Sequence, residues 1–341
     1  MTSMQRVLTT LGQVEPDRVP YFLLLSMHGA DELGLSIEEY FSNGKNVYEG
    51  QIKLRQKYGH DCYYTFFYAS IEVEAYGADV MYSNDGPPNA GAPFLKKDMI
   101  NTLKAPIVKE TKVLQKMLEA TRLLKNYAKD EVPIIGVVMS PFSVAVMQMG
   151  FEAYLDLIYN DRELFEKLME VNTKFCVDFA NAQLEAGATA ITYYDPISSP
   201  TILPRELYLE TGFQVAKNTI SQINGPTATH FASGNAMEIM SDLPETGTAV
   251  VGVSTFEDLS ELKKAANKKL TLLGNLNAIE MRTWSVQQTK QYVKEAIQKA
   301  APGGGFILGE NHGEIPYCIK EETLLAIKEA VQEYGQYPIE K

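Results

Sequence analysis

Short blocks of continuous apolar residues alternate along this chain with longer stretches whose apolar positions recur every three or four residues. The blocks, rich in β-branched and aromatic side chains, read as strands buried on both faces; the stretches read as amphipathic helices. Strands are predicted at 18–25, 62–68, 132–139, 190–194, 227–231, 249–253, 270–274 and 306–308. Helices are predicted at 3–11, 46–58, 109–129, 144–149, 151–159, 161–186, 205–223, 236–240, 259–267, 286–300 and 321–334. Asp161 is placed to cap a helix start, and Gly59 and Gly187 to end helices. After the second strand, 71–76 and 80–82 read as an appended hairpin, followed by a proline- and glycine-rich loop over 83–93.

Strict alternation of this kind demands a parallel sheet, because each crossover must carry the chain back to the edge it left. Eight such units close most economically as an α/β fold of the (β/α)8 TIM barrel type, with the hairpin and loop as a small N-terminal insertion and 1–341 as one domain. An open doubly wound sheet is the alternative. In a barrel the reacting groups sit on the loops after the strands. That rule gathers His28, Tyr68, Ser140, Asp195, His230, Asn275, Glu310 and His312 at one mouth.

Composition narrows the partners. With 45% hydrophobic residues, 341 residues can bury a substantial core, and the formal charge of −12 repels a phosphate backbone. No apolar run approaches the roughly 20 residues that span a bilayer, and the N-terminus is too polar for a signal peptide, so a cytoplasmic location is expected. Cys62, Cys176 and Cys318 show no C-x-x-C spacing and provide neither a zinc cage nor a disulfide framework.

The densest chemistry lies in GGGFILGENHGEIPY, 303–317, where a short strand runs into Glu310, His312 and Glu314. A second strand exit, TATHFASG, delivers His230. Bland roles compete at each position. His230 and His312 can be hydrogen-bonded structural histidines, His60 a helix-end residue, and Asp195 a loop cap before Pro196. Only about half of the aromatic side chains over 63–68 can face a substrate, since a strand alternates its faces.

The succession RVPYF, YGHD (58–61), VEAYGADVMY (73–82), SPF (140–142), GFEAYLDLI (150–158), EAGATAITYYD (185–195), THFASGN (229–235), LLGNLN (272–277) and GGGFIL (303–308) resembles the uroporphyrinogen decarboxylase superfamily over nearly the whole chain. The resemblance implies a (β/α)8 barrel and one of two activities, porphyrinogen decarboxylation or corrinoid-dependent methyl transfer. Decarboxylases carry an arginine-rich segment after the first strand to hold substrate carboxylates. Here no arginine occurs between Arg18 and Arg55, and the mouth is acidic. Thiol-directed methyltransferases hold zinc with a His-x-Cys pair and a later cysteine. His230 matches the first ligand, but Ala232 stands at the second, and His312 or Gly313 at the third.

The branch that fits these departures is the methyltransferase component of an O-demethylating system, which passes a methyl group from a methoxylated aromatic compound to Co(I) of a separate corrinoid protein. An ether oxygen leaves poorly unless it is protonated or coordinated. The resemblance therefore implies Glu310, Glu314 and Asp195 as catalytic carboxyls, or zinc held by His230, His312 and Glu310. His28, Tyr68, Phe142, Met147, Tyr194 and Asn275 are expected to bind substrate, an aromatic and methionine lining that suits a flat aryl ether or a methylated ammonium. The chain has no Asp-x-His-x-x-Gly sequence, so cobalamin is expected on a partner protein. Methyl transfer to a thiol or from a methylamine, decarboxylation, and a binding barrel without chemistry are the competing functions.

Overall fold

The computed structural model describes residues 1–339 and forms an α/β barrel. Seven parallel strands, Tyr63–Tyr64, Ile134–Met139, Ala190–Tyr194, Thr227–His230, Val250–Gly252, Thr271–Leu276 and Phe306–Glu310, hydrogen-bond in sequence order. The eighth position is filled by the extended segment 19–25, which closes the ring. Phe22 N–H donates to the Leu308 carbonyl (2.8 Å) and Leu308 N–H to that of Pro20 (2.9 Å), while Asp61 N–H donates to the Tyr21 carbonyl (2.8 Å) on the other side. All eight predicted strand positions are thus occupied. The segment 62–68 supplies only a short ladder, because its later residues leave the sheet to pack as Phe67 and Tyr68 against Phe41.

Alternation along the strands builds two apolar layers. Phe22, Leu24, Tyr64, Phe66, Val137, Met139, Tyr194, Leu273 and Ile307 fill the barrel interior, whereas Leu272, Phe306 and Leu308 pack outward against helices such as Val286–Ala300 and Glu321–Tyr334. The helix Ser3–Leu11 brings Val7 to the interior layer at the end opposite the strand exits. It is tied down by Asp61, which is buried and accepts from Arg6 (2.7 Å), Arg18 (2.7 Å) and Ser3 (2.9 Å).

Three predicted elements take a different form. Residues 71–75 are a helix, Ile71–Ala75, and the hairpin pairs Val80–Met81 with Asn89–Ala90 instead. The IEVEA sequence fits either period, and the helix lets Glu72 reach the Met139 N–H (2.6 Å). The helix expected over 205–223 breaks at Thr211 into Arg205–Glu210 and Gly212–Ile220; a Cβ at Gly212 would stand 2.5 Å from that of Ser198. Two short helices, His28–Leu33 and Ile37–Tyr40, follow the first strand, where the pattern predicts no element. Among the described residues no helix is long and apolar enough to cross a membrane.

Candidate active site

The inward faces of the strands meet at the mouth around Tyr194 and His230, whose rings lie 4.8 Å apart and tilted by 36°. Phe66 flanks Tyr194 at 6.3 Å. Gly252, on the neighbouring strand, is required here: a Cβ at that position would stand 2.2 Å from His230 Cδ2. His312 lies near enough that its charge, after burial, is the second influence depressing His230, whose pKa falls to about 3. The two imidazoles and their neighbouring acids therefore converge at one rim, as the strand exits predicted.

The loop after the last strand folds back over this layer. Tyr194 Oη donates to the Gly313 carbonyl (2.8 Å), and a Cβ on Gly313, at φ +95°, would stand 2.5 Å from the Tyr194 ring. Glu310 turns its carboxylate onto the loop's own backbone, accepting from His312 N–H (2.5 Å) and Gly313 N–H (2.8 Å). Ile315 N–H donates to the Leu24 carbonyl (3.0 Å), which sets the loop beside 24–28. There the Ser26 hydroxyl approaches Glu314, and His28 stacks edge-on against Tyr317 at 5.6 Å, while Tyr317 Oη donates to Asp31.

Burial dominates the electrostatics. It lifts Glu310 to about 7 against two opposing N–H donors, and Glu314 to about 7 against the opposing Ser26 hydroxyl, with the negative charge of Glu310 adding to the rise. Glu314 keeps Oε1 buried and without a hydrogen-bond partner. Near neutral pH this rim therefore holds protonated carboxyl, and Glu314 Oε1 is a buried oxygen not committed to a partner.

The same contacts decide whether zinc fits. Ala232 N–H donates to His230 Nδ1 (2.9 Å), so the proton of the neutral ring sits on Nε2, which then offers a donor and not a lone pair. Glu310 spends Oε2 on two backbone N–H groups, and Ala232 has no donor atom. Among the described residues no three His, Cys, Asp or Glu side chains are grouped to hold a metal ion. The expected set of His230, His312 and Glu310 does not fit zinc in this arrangement.

The other expected site residues divide between the mouth and positions away from it. Asp195 is held by Ser140 Oγ and Ser198 Oγ, each at 2.6 Å, with its pKa raised to about 7 by burial; it caps a loop. Phe142 is fully buried against Tyr154 and Phe165, outside any wall of the mouth. Tyr68 is buried and donates to Glu74 Oε2 (2.6 Å) while accepting from Tyr82 Oη (3.3 Å). Met147 is partly buried against the interior layer, and Asn275 donates to the Ser254 carbonyl (2.9 Å) beside a separate polar cavity of about 160 Å³. His28 is buried at the mouth, its pKa lowered to about 4 mainly by burial, and His60 is buried next to Asp61 in the chain. Sequence reasoning passed over Ser26, Gly252 and Asn311. Asn311 had a signal, since it shares strand parity with Ile307 and Gly309; Ser26 and Gly252 had none.

The uroporphyrinogen decarboxylase (URO-D) family profile matches residues 2–334. The methylcobamide:CoM methyltransferase MtaA of Methanosarcina barkeri is 23% identical over 340 residues, 98% of each chain. The uroporphyrinogen decarboxylase of Coxiella burnetii is 24% identical over 272 residues, 77% of this chain and 74% of its own. A methyltransferase from Methanosarcina mazei shares the fold, with a TM-score of 0.86 at 22% identity over 98% of this chain and 99% of its own. With a family match spanning almost every residue of the barrel, this chain belongs to the uroporphyrinogen decarboxylase family.

Proposed function

We propose that this chain is a corrinoid-dependent methyltransferase that takes a methyl group from a methoxylated aromatic compound and delivers it to Co(I) on a separate corrinoid protein. The observation that carries the reading is Glu314: a half-buried residue whose carboxyl has a pKa raised to about 7 and keeps one oxygen buried and without a hydrogen-bond partner. The cobalt electron pair forms the new bond to the methyl carbon. The C–O pair leaves with the ether oxygen, which takes the Glu314 proton and departs as a phenol; water then reprotonates the carboxylate. Tyr194 holds the loop that carries Glu314, and Phe66 and Tyr194 offer aromatic faces to a flat substrate. No step passes through zinc, because the donors present do not suit it.

Cobalamin belongs to the partner in this reading, and the whole chain, 1–341, works as one barrel domain in the cytoplasm, where a reducing environment preserves Co(I). The length-spanning likeness to methyltransferases, against the shorter match to decarboxylases, supports methyl transfer over decarboxylation. A second reading, methyl transfer from methylcobamide to a thiol, is favoured by the name of the Methanosarcina barkeri relative. Mixing the protein with Co(I) corrinoid protein and a panel of methoxybenzenes should convert the cobalamin spectrum to that of methyl-Co(III). No conversion with any ether, alongside thiol-dependent demethylation of methylcobalamin, would replace the first reading by the second.

A further inference from the structure

Among the described residues, seven of the fourteen buried polar side-chain atoms without a hydrogen-bond partner sit on two short segments. They are Ser26 Oγ, both ring nitrogens of His28, both amide atoms of Asn311, His312 Nδ1 and Glu314 Oε1. The segments are clamped together by the Ile315-to-Leu24 hydrogen bond. Leaving a buried polar group unsatisfied forfeits its hydration without return, so native proteins keep few of them and rarely in one place. Asn311 is 0% exposed and stands one residue past the strand Phe306–Glu310, whose Ile307 belongs to the interior layer. The Pro316 carbonyl nears His28, and Ser26 nears Glu314, but neither contact reaches hydrogen-bond geometry. These atoms are arranged for a guest.

The chemistry of the three side chains outside the acid identifies it. Asn311 offers an N–H donor pair and a carbonyl acceptor, Ser26 one donor and an acceptor, and His28, neutral in its buried setting, one of each. None carries a positive charge, and the carboxyls of Glu310 and Glu314 belong to the same loop, which together favour a neutral group over an anion. It must both give and take hydrogen bonds, which a hydroxyl does in the smallest space. We infer that Ser26, His28 and Asn311 form a subsite that reads a hydroxyl group, so that the preferred methyl donor is a neutral aryl methyl ether bearing a free hydroxyl. This rests on the O-demethylation reading for the ether, but the hydroxyl recognition can be tested without methyl transfer.

Calorimetric titration of the full chain with methoxyphenol, methoxybenzene, catechol and methoxybenzoate tests it. Methoxyphenol and catechol should bind at least about tenfold more tightly than methoxybenzene or methoxybenzoate. Asn311→Leu should abolish that preference, and Ser26→Ala should reduce it several-fold. An amide that served only the fold would cost Tm when removed; an unsatisfied one replaced by an apolar isostere should leave Tm equal or higher. Equal binding of methoxybenzene, a preference retained in Asn311→Leu, or a fall in that variant's Tm would each overturn the subsite. An Asn311-dependent preference for catechol with no methyl reaching cobalt from any ether would uphold the subsite and sink O-demethylation.

Discussion

Replacing Glu314 by glutamine removes the transferable proton while keeping the side chain's size. At pH 7 a carboxyl with a pKa of about 7 is about half protonated, whereas one at the ordinary 4.5 would be about 0.3% protonated. Burial thus raises the population of the proton donor roughly a hundredfold. General acid catalysis of this kind contributes about 10²–10⁴ in rate, so Glu314→Gln should lower kcat/KM for an unactivated aryl methyl ether by roughly that factor. The assay is the appearance of methyl-Co(III) on the corrinoid protein, followed by its absorption spectrum between pH 5.5 and 8.5. Wild-type rates should fall above about pH 7 as the carboxyl ionises, and the variant should lose that limb. Leaving-group chemistry gives a further control: the methyl ether of a nitrophenol, whose phenoxide leaves without help, should lose far less in the variant. A variant that demethylates unactivated ethers at the wild-type rate, or a wild-type profile flat through pH 8.5, would refute proton donation by Glu314.

The fold itself yields further expectations. Gly252→Ala should displace the His230 ring and cost about 1–3 kcal/mol, read as a lower denaturation midpoint together with lost activity. Asp61→Ala leaves the Arg6 and Arg18 guanidinium groups without their shared buried partner, and about 3–5 kcal/mol of stability should disappear in urea titration. Glu72 has its folded pKa raised to about 8 by burial, against an unfolded value near 4.5. Its stabilising contribution is complete below pH 4.5 and is lost as pH rises through 8, so Glu72→Gln should flatten the decline of Tm across that window. The buried histidines act oppositely: His28, near 4, and His230, near 3, destabilise the fold as pH falls below about 6.5, because the unfolded chain binds those protons first.

Much of the barrel was legible from hydrophobic periodicity, and so were the rim residues His230, Glu310, His312 and Glu314. Helix 286–300 and strand 190–194 have the bounds their patterns predict, since an amphipathic face or a buried strand can satisfy itself in few ways. The failures share a cause. The IEVEA stretch fits a strand or a helix equally, and a distant acceptor requirement, the Met139 N–H, accompanies the helix. Phe142 stands right after a strand exit yet belongs to a helix whose buried face packs on Tyr154 and Phe165. Asp195 stands at another exit, and two serines from different loops claim its oxygens.

The order of residues alone determined the alternation of strands and helices, the closure that follows from it, and which chemical groups arrive at the strand exits. Only the tertiary structure decided which of those groups remain free to act. A side chain's availability depends on contacts that only the folded loops create: Ala232 N–H on His230 Nδ1, the amides of 312 and 313 on Glu310, and the distant Gly252 making room for a ring. A carboxyl's protonation likewise depends on how completely the surrounding loops exclude water. That exclusion separates Glu314, with its Oε1 buried and unpartnered, from the many exposed acidic residues that the sequence displays as its equals.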